Sequence, residues 1–170
     1  YTWKLPDYLD ENERYRREQN REDRDEAEEV WHCCRLTNAG KTPWTTAPAQ
    51  FLKDGRFVGQ DICYYAAPEA ETTVRINRAV NLAADEAEFE VERERNAARF
   101  YGSSYDLVTV KGELKLRSRL AKEARVEVTK ELSGEVIEAS DEAEDVPTAK
   151  GLRRANPRHT LIWDIMVAPG

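Results

Sequence analysis

The run Val30-Trp31-His32-Cys33-Cys34-Arg35-Leu36-Thr37-Asn38 sets a histidine beside two of the chain's three cysteines, with Cys63 as the third. Histidine and cysteine are the ligands of tetrahedral zinc, but zinc sites usually draw them from knuckles with about two to four residues between cysteines. Cys33 and Cys34 are adjacent. On an extended strand adjacent side chains point to opposite faces, so both reach one ion only across a bulge. His32 and Cys34 share a face, and Cys63 could join them from a neighbouring strand. Three readings stay open: a metal or thiol site at His32, Cys34 and Cys63, a disulfide from Cys63 to Cys33 or Cys34, and buried thiols acting as small apolar side chains. The third is the expected one, because free cysteine packs as a small hydrophobe. A nucleophilic relay needs Cys or Ser with His and an acid. The histidines are His32 and His159, and no Gly-x-Ser-x-Gly turn is present. Gly102-Ser103-Ser104-Tyr105 reads as a polar turn before a strand.

Two further groups could bind ligands. Glu88, Glu90 and Glu92 alternate with Phe89 and Val91, and carboxylates at strand spacing stand about 7 Å apart on one face. With help from a loop they could hold Ca²⁺ or work as a carboxylate pair. The expected state is a solvated face with cross-strand ion pairs to nearby Arg93, Arg95 and Arg99. The acidic loop at residues 140–145 has a calcium-loop composition without the glycine and terminal glutamate spacing of an EF-hand. Trp44, followed by Thr45 and Thr46, could be a platform for sugar rings. Trp44 is expected instead to plug one end of the fold, directly after Pro43.

The elements that must position these residues are strands. Runs with alternating apolar residues recur every ten or so positions, bounded by turn residues, and helical patterns are few, which predicts an all-β antiparallel sandwich. Asp54-Gly55 between two such runs is the clearest hairpin signal, since both residues suit the positive φ of a type I′ turn. Val108, Val110, Leu114 and Leu116 share a face with Gly112 between them. Val126 and Val128 repeat the alternation, and Leu161, Trp163, Ile165 and Val167 read as a buried inner strand. The expected organisation is a charged arm or linker at 1–29, a first β unit at 30–98 and an immunoglobulin-like unit at 99–170. Within the first segment, residues 10–29 are nearly all charge of mixed sign and offer no apolar stripe to bury.

Composition excludes some functions. The chain of 170 residues carries a formal net charge of −7, so it lacks the clustered basic face that nucleic acid requires. No apolar run approaches the ~20 residues that span a bilayer as a helix. Three cysteines exclude a dense disulfide framework. The chain opens on Tyr1 and its one methionine is Met166, so it is expected to be a piece of a longer protein.

The order of motifs resembles a known family. Leu36-Thr37-Asn38 ends a strand, Pro43 to Thr46 forms a Pro-Trp-Thr turn, Asp54-Gly55 and Gly59-Gln60-Asp61 shape a hairpin, Gly112 to Arg117 lies in a later strand, and Leu161 to Gly170 closes on Pro169-Gly170. This arrangement over residues 30–170 is similar to the C-terminal β domain, of unknown function, of the mucoidy-inhibitor-like proteins. The resemblance implies a β-sandwich module of larger, often envelope-associated proteins that also contain coiled coil, and it carries over no catalytic residue. Apolar residues are common in that family where this chain has Cys33 or Cys34, which agrees with buried thiols. The family continues past its Pro-Gly with one more strand, so this chain is expected to lack the last strand and to self-associate through an open edge. The expected function is a non-catalytic interaction or structural module with no cofactor, recognising a protein partner or other domains of the parent chain. The alternative is a carbohydrate- or calcium-binding sandwich.

Overall fold

The computed structural model describes residues 2–5, 29–148 and 156–170, with the side chains of residues 3–5 and 100 left aside. The charged arm or linker expected at the N-terminus lies outside the described residues over 6–28. Ten strands follow in chain order, and no helix occurs among the described residues: β1 Thr2–Leu5, β2 Trp31–Thr37, β3 Ala47–Lys53, β4 Arg56–Cys63, β5 Glu71–Arg78, β6 Leu82–Phe100, β7 Ser103–Ser118, β8 Ala124–Ser133, β9 Glu144–Pro147 and β10 Arg158–Val167.

The protein is an all-β sandwich. A six-stranded sheet has the order β5-β2-β1-β8-β10-β9, and two hairpins, β3-β4 and β6-β7, complete it. All pairings are antiparallel except β1 with β8, which is parallel. The sheet takes β2 and β5 from residues 30–98 and β8, β9 and β10 from 99–170, and β1 enters between them. The boundary expected near residue 98 lies close to the tip of the β6-β7 hairpin, where Tyr101 and Gly102 both have positive φ. The same geometry closes β3-β4, with Asp54 at φ 51° and Gly55 at φ 74°, as Asp-Gly requires.

The core follows from strand alternation. Ala124, Val126, Val128 and Lys130 lie on one face of β8 and are buried, while Arg125 and Glu131 between and beyond them are exposed. The base of the β6-β7 hairpin covers this face. Leu82 and Ala84 of β6 cluster with Val30, Val126 and Val128, and Leu114, Leu116, Trp163, Ile165 and Val167 pack around them. Removing an aliphatic side chain of this size from water stabilises the fold by about 1.5–3 kcal/mol each. Trp163 also donates its indole N–H to the carbonyl of Ser140 at 2.8 Å, which ties the acidic loop to the sheet.

The hairpin is longer than the face it covers. Past Glu88 the apolar face expected to be sheltered, Phe89 and Val91, is exposed at 52% and 64%. Leu82, Ala84 and Glu88 take the face turned towards the sheet, so Phe89 points away from it, and past Phe89 the phase changes. Val91 is an extra residue between the pairs Glu90↔Val110 and Glu92↔Thr109, and a second irregularity falls between Glu94 and Ala98. A bulge of this kind turns the following side chains over.

The β3-β4 hairpin sits beside β5. Gly59 is buried there, and a Cβ on it would lie 2.0 Å from the carbonyl oxygen of Ile76. Ile76 is the residue skipped where the β2-β5 register shifts between His32 and Cys33. Glycine is therefore required at 59 by close backbone approach rather than by its own φ.

Candidate functional site

The short strand β1 shapes a depression in the outer face of the sheet. Thr2 pairs with Trp31 of β2 on one side and with Glu127 of β8 on the other. Neighbouring strands stand about 4.8 Å apart, so β1 holds β2 and β8 roughly 10 Å from each other. Beyond Thr2, residues 33–37 of β2 pair with β5 alone, and residues 124–126 of β8 pair with β10 alone, among the described residues. The outer face of the sheet carries a depression here, of about 210 Å³, lined by Thr2, Cys33, Arg35, Thr73, Arg125 and Glu127.

Polar side chains rim this depression. Arg35 reaches across it from β2 and donates through Nη2 to Glu127 Oε2 of β8 at 2.5 Å. Arg35 Nε also lies 4.0 Å from Glu71 Oε2. Arg125 donates through Nε to Asp164 Oδ1 at 2.7 Å. The Arg125 hydrogen bond holds the Asp164 carboxyl below the usual carboxylate range, and the same contact raises the Arg125 guanidinium. Thr2 Oγ1 and Cys33 Sγ share a hydrogen bond at 3.1 Å at the inner end. On the other face of β8, between Arg125 and Glu127, Val126 is fully buried in the core.

The candidate thiol and metal residues are not brought together. Cys33, Cys34 and Cys63 are all free and partly buried, and His32 is exposed. Cys34 pairs with Val74 of β5, whereas Cys63 pairs with Ala47 on the β3-β4 hairpin. The strand beside β4 is β5 rather than β2, so Cys63 does not come from a neighbour of Cys34. Among the described residues, no group of three or more His, Cys, Asp or Glu side chains is placed to hold a metal ion.

The three glutamates part company. Glu88 turns toward the sheet, where its Oε1 lies 3.0 Å from Lys130 Nζ, and Glu86 contacts the same ammonium. Glu90 receives hydrogen bonds from Arg93 Nε at 2.9 Å and Nη2 at 2.7 Å. In an unbroken strand residues three apart face opposite ways; the extra residue Val91 puts these two on one side. Arg93 Nη1 also donates to Asp106 Oδ2 at 3.2 Å, and Asp106 Oδ1 accepts from the Asn96 backbone N–H at 3.0 Å. These contacts lower the Glu90 and Asp106 carboxyls, through Arg93 for Glu90 and through the Asn96 backbone first for Asp106. Glu92 pairs with Thr109 instead.

Trp44 is half-buried, and its backbone forms a two-way bridge with Ala66 at 2.9 and 3.2 Å. The residue that organises this region is Asn38, which is fully buried. Its Nδ2 donates to the carbonyls of Thr42 and Ala66, both at 3.0 Å, and its Oδ1 accepts from Gly40 N–H at 3.0 Å. Its backbone N–H donates to the Ala70 carbonyl, and its carbonyl accepts from Glu69 N–H. Asn38 ends a strand in the sequence pattern, and its polar type gave no sign that it would be enclosed. No helix among the described residues is long and apolar enough to cross a membrane. Comparison with known proteins finds no family model, no curated protein and no solved structure that matches this chain.

Proposed function

We propose that this chain is a non-catalytic interaction module of a larger, envelope-associated protein, and that it recognises a protein partner on the outer face of the six-stranded sheet. The depression lined by Thr2, Cys33, Arg35, Thr73, Arg125 and Glu127 is the observation that carries this reading. Its rim offers the guanidinium groups of Arg35 and Arg125 and the carboxylate of Glu127 to the side chains of an extended segment. The resemblance to the mucoidy-inhibitor-like β domain, including an immunoglobulin-like character for residues 99–170, supports the module reading and the envelope setting.

The test uses a library of extended hexapeptides with alternating apolar and polar residues, read by amide hydrogen exchange on the intact chain. Binding is expected to protect amides within residues 33–37 and 124–126 and to slow alkylation of Cys33. Peptide binding that leaves those amides and that thiol unchanged would sink the proposal.

A further inference from the structure

Strand edges decide which surfaces of a β protein pair with another chain, and natural edges carry devices that prevent it: shortness, proline, bulges, charge or a covering element. The edges of this molecule differ in this respect. The outer edge of β9 is four residues long, with Glu144, Asp145 and Pro147. β5 is approached by β4, whose Gly59 sits against Ile76. β3 carries Pro48 near its start and Lys53 at its end. β6 is interrupted twice, at Val91 and between Glu94 and Ala98, and is dense with Glu and Arg.

The outer edge of β7 over residues 103–111 has neither proline nor a covering element among the described residues, and it is long. Both irregularities of the hairpin lie in β6, so β7 itself runs unbroken. Its charges over that stretch are Asp106 and Lys111, which cancel, and it contains no proline. β-Branched and aromatic residues dominate, in the order Tyr105, Val108, Thr109 and Val110, with Leu107 among them. Leu107 is 61% exposed and Val110 is 43% exposed, because this half of the hairpin extends beyond the sheet. No strand other than β6 pairs with β7 among the described residues. A two-stranded ribbon is marginal in water, whereas further strands stabilise it.

We infer that β7 pairs edge to edge with β7 of a second copy of this chain, joining two hairpins into a four-stranded antiparallel sheet. A second copy fits this edge because local charge is balanced. A chain of net charge −7 repels its own kind elsewhere, but not along this strand. Antiparallel pairing of identical strands about a two-fold axis closes on itself and leaves no growing end. A register centred on Leu107 or Val108 sets Asp106 opposite Val108 or Val110 of the other copy, which keeps the two carboxylates apart. The inference is independent of the depression on the outer face.

Sedimentation equilibrium of the full chain, from micromolar to submillimolar concentration, tests it together with amide exchange. A reversible shift from monomer mass to twice that mass is expected, with exchange across residues 103–111 slowing as concentration rises. Leu107→Lys should weaken the dimer by roughly tenfold or more by adding like charge at the junction. Phe89→Lys, on the partner strand of the same hairpin, should leave it intact. Circular dichroism melts establish that both variants are folded, and Val110→Lys serves as a second edge variant. A monomer throughout the range, assemblies that grow past two copies, or equal disruption by Phe89→Lys and Leu107→Lys would overturn the inference.

Discussion

Lys130 offers the sharpest check on how the hairpin is held to the sheet. Its ammonium stands 3.0 Å from Glu88 Oε1 and also contacts Glu86, and the three side chains are exposed by only 11%, 19% and 24% respectively. At 3 Å and an effective dielectric near 20, one such contact is worth about 5 kcal/mol of Coulomb energy. Partial desolvation of the three groups offsets much of this. Removing the cation, as in Lys130→Met, leaves two carboxylates close together on one face and facing the core. Loss of one partner from a buried pair typically costs about 3–5 kcal/mol; residual exposure here lowers the expectation to about 3 kcal/mol. For a chain of this size each kcal/mol moves Tm by about 2–4 °C, so a fall of roughly 6–12 °C is expected. The triple variant Lys130→Met, Glu86→Gln, Glu88→Gln should recover most of it, because no charge is then stranded. Thermal unfolding followed by circular dichroism reads all three proteins. A Lys130→Met protein within about 0.5 kcal/mol of the parent, or a triple variant no better than the single one, would refute the reasoning that this cluster binds hairpin to sheet.

Two other outcomes follow from the same structure. Asn38→Asp removes both Nδ2 donors and turns an acceptor toward the carbonyls of Thr42 and Ala66; a loss of about 3 kcal/mol or more in urea unfolding is expected, and at least that of Asn38→Ala. The Glu90, Asp106, Glu113 and Asp164 carboxyls are all lowered in the folded protein, through Arg93 for Glu90, the Asn96 backbone for Asp106, Lys111 for Glu113 and Arg125 for Asp164. Groups lowered on folding contribute stability that is fully present above the ordinary carboxylate pKa and is lost as pH falls through the lower folded value. Tm is therefore expected to fall as pH drops below about 4, and an Asp164→Asn, Asp106→Asn protein should show a shallower fall over the same window.

Much of the architecture was legible from periodicity. Alternation in Val126-Glu127-Val128 and Trp163-Asp164-Ile165 marks one buried face per strand, and the period of two leaves little freedom about which face it is. Asp54-Gly55 specifies its turn locally, through backbone sterics that need no tertiary context.

Other features depend on where the strands meet. Glu88 and Lys130 are surface types by composition, and Lys130 even continues the apolar face of β8; they are enclosed because β6 crosses β8 at that point. The phase change at Val91 pairs Glu90 with Arg93, and a bulge is set by the length match of two distant strands rather than by its own sequence. Cys34 and Cys63 are placed apart by the insertion of β5 next to β2. The entry of β1 between β2 and β8 sets Thr2 beside Cys33, and no pattern in four residues could have announced it. Local alternation determined which residues could be buried; the order of strands across the sheet decided which groups face one another, because pairing joins residues that the sequence keeps more than a hundred positions apart.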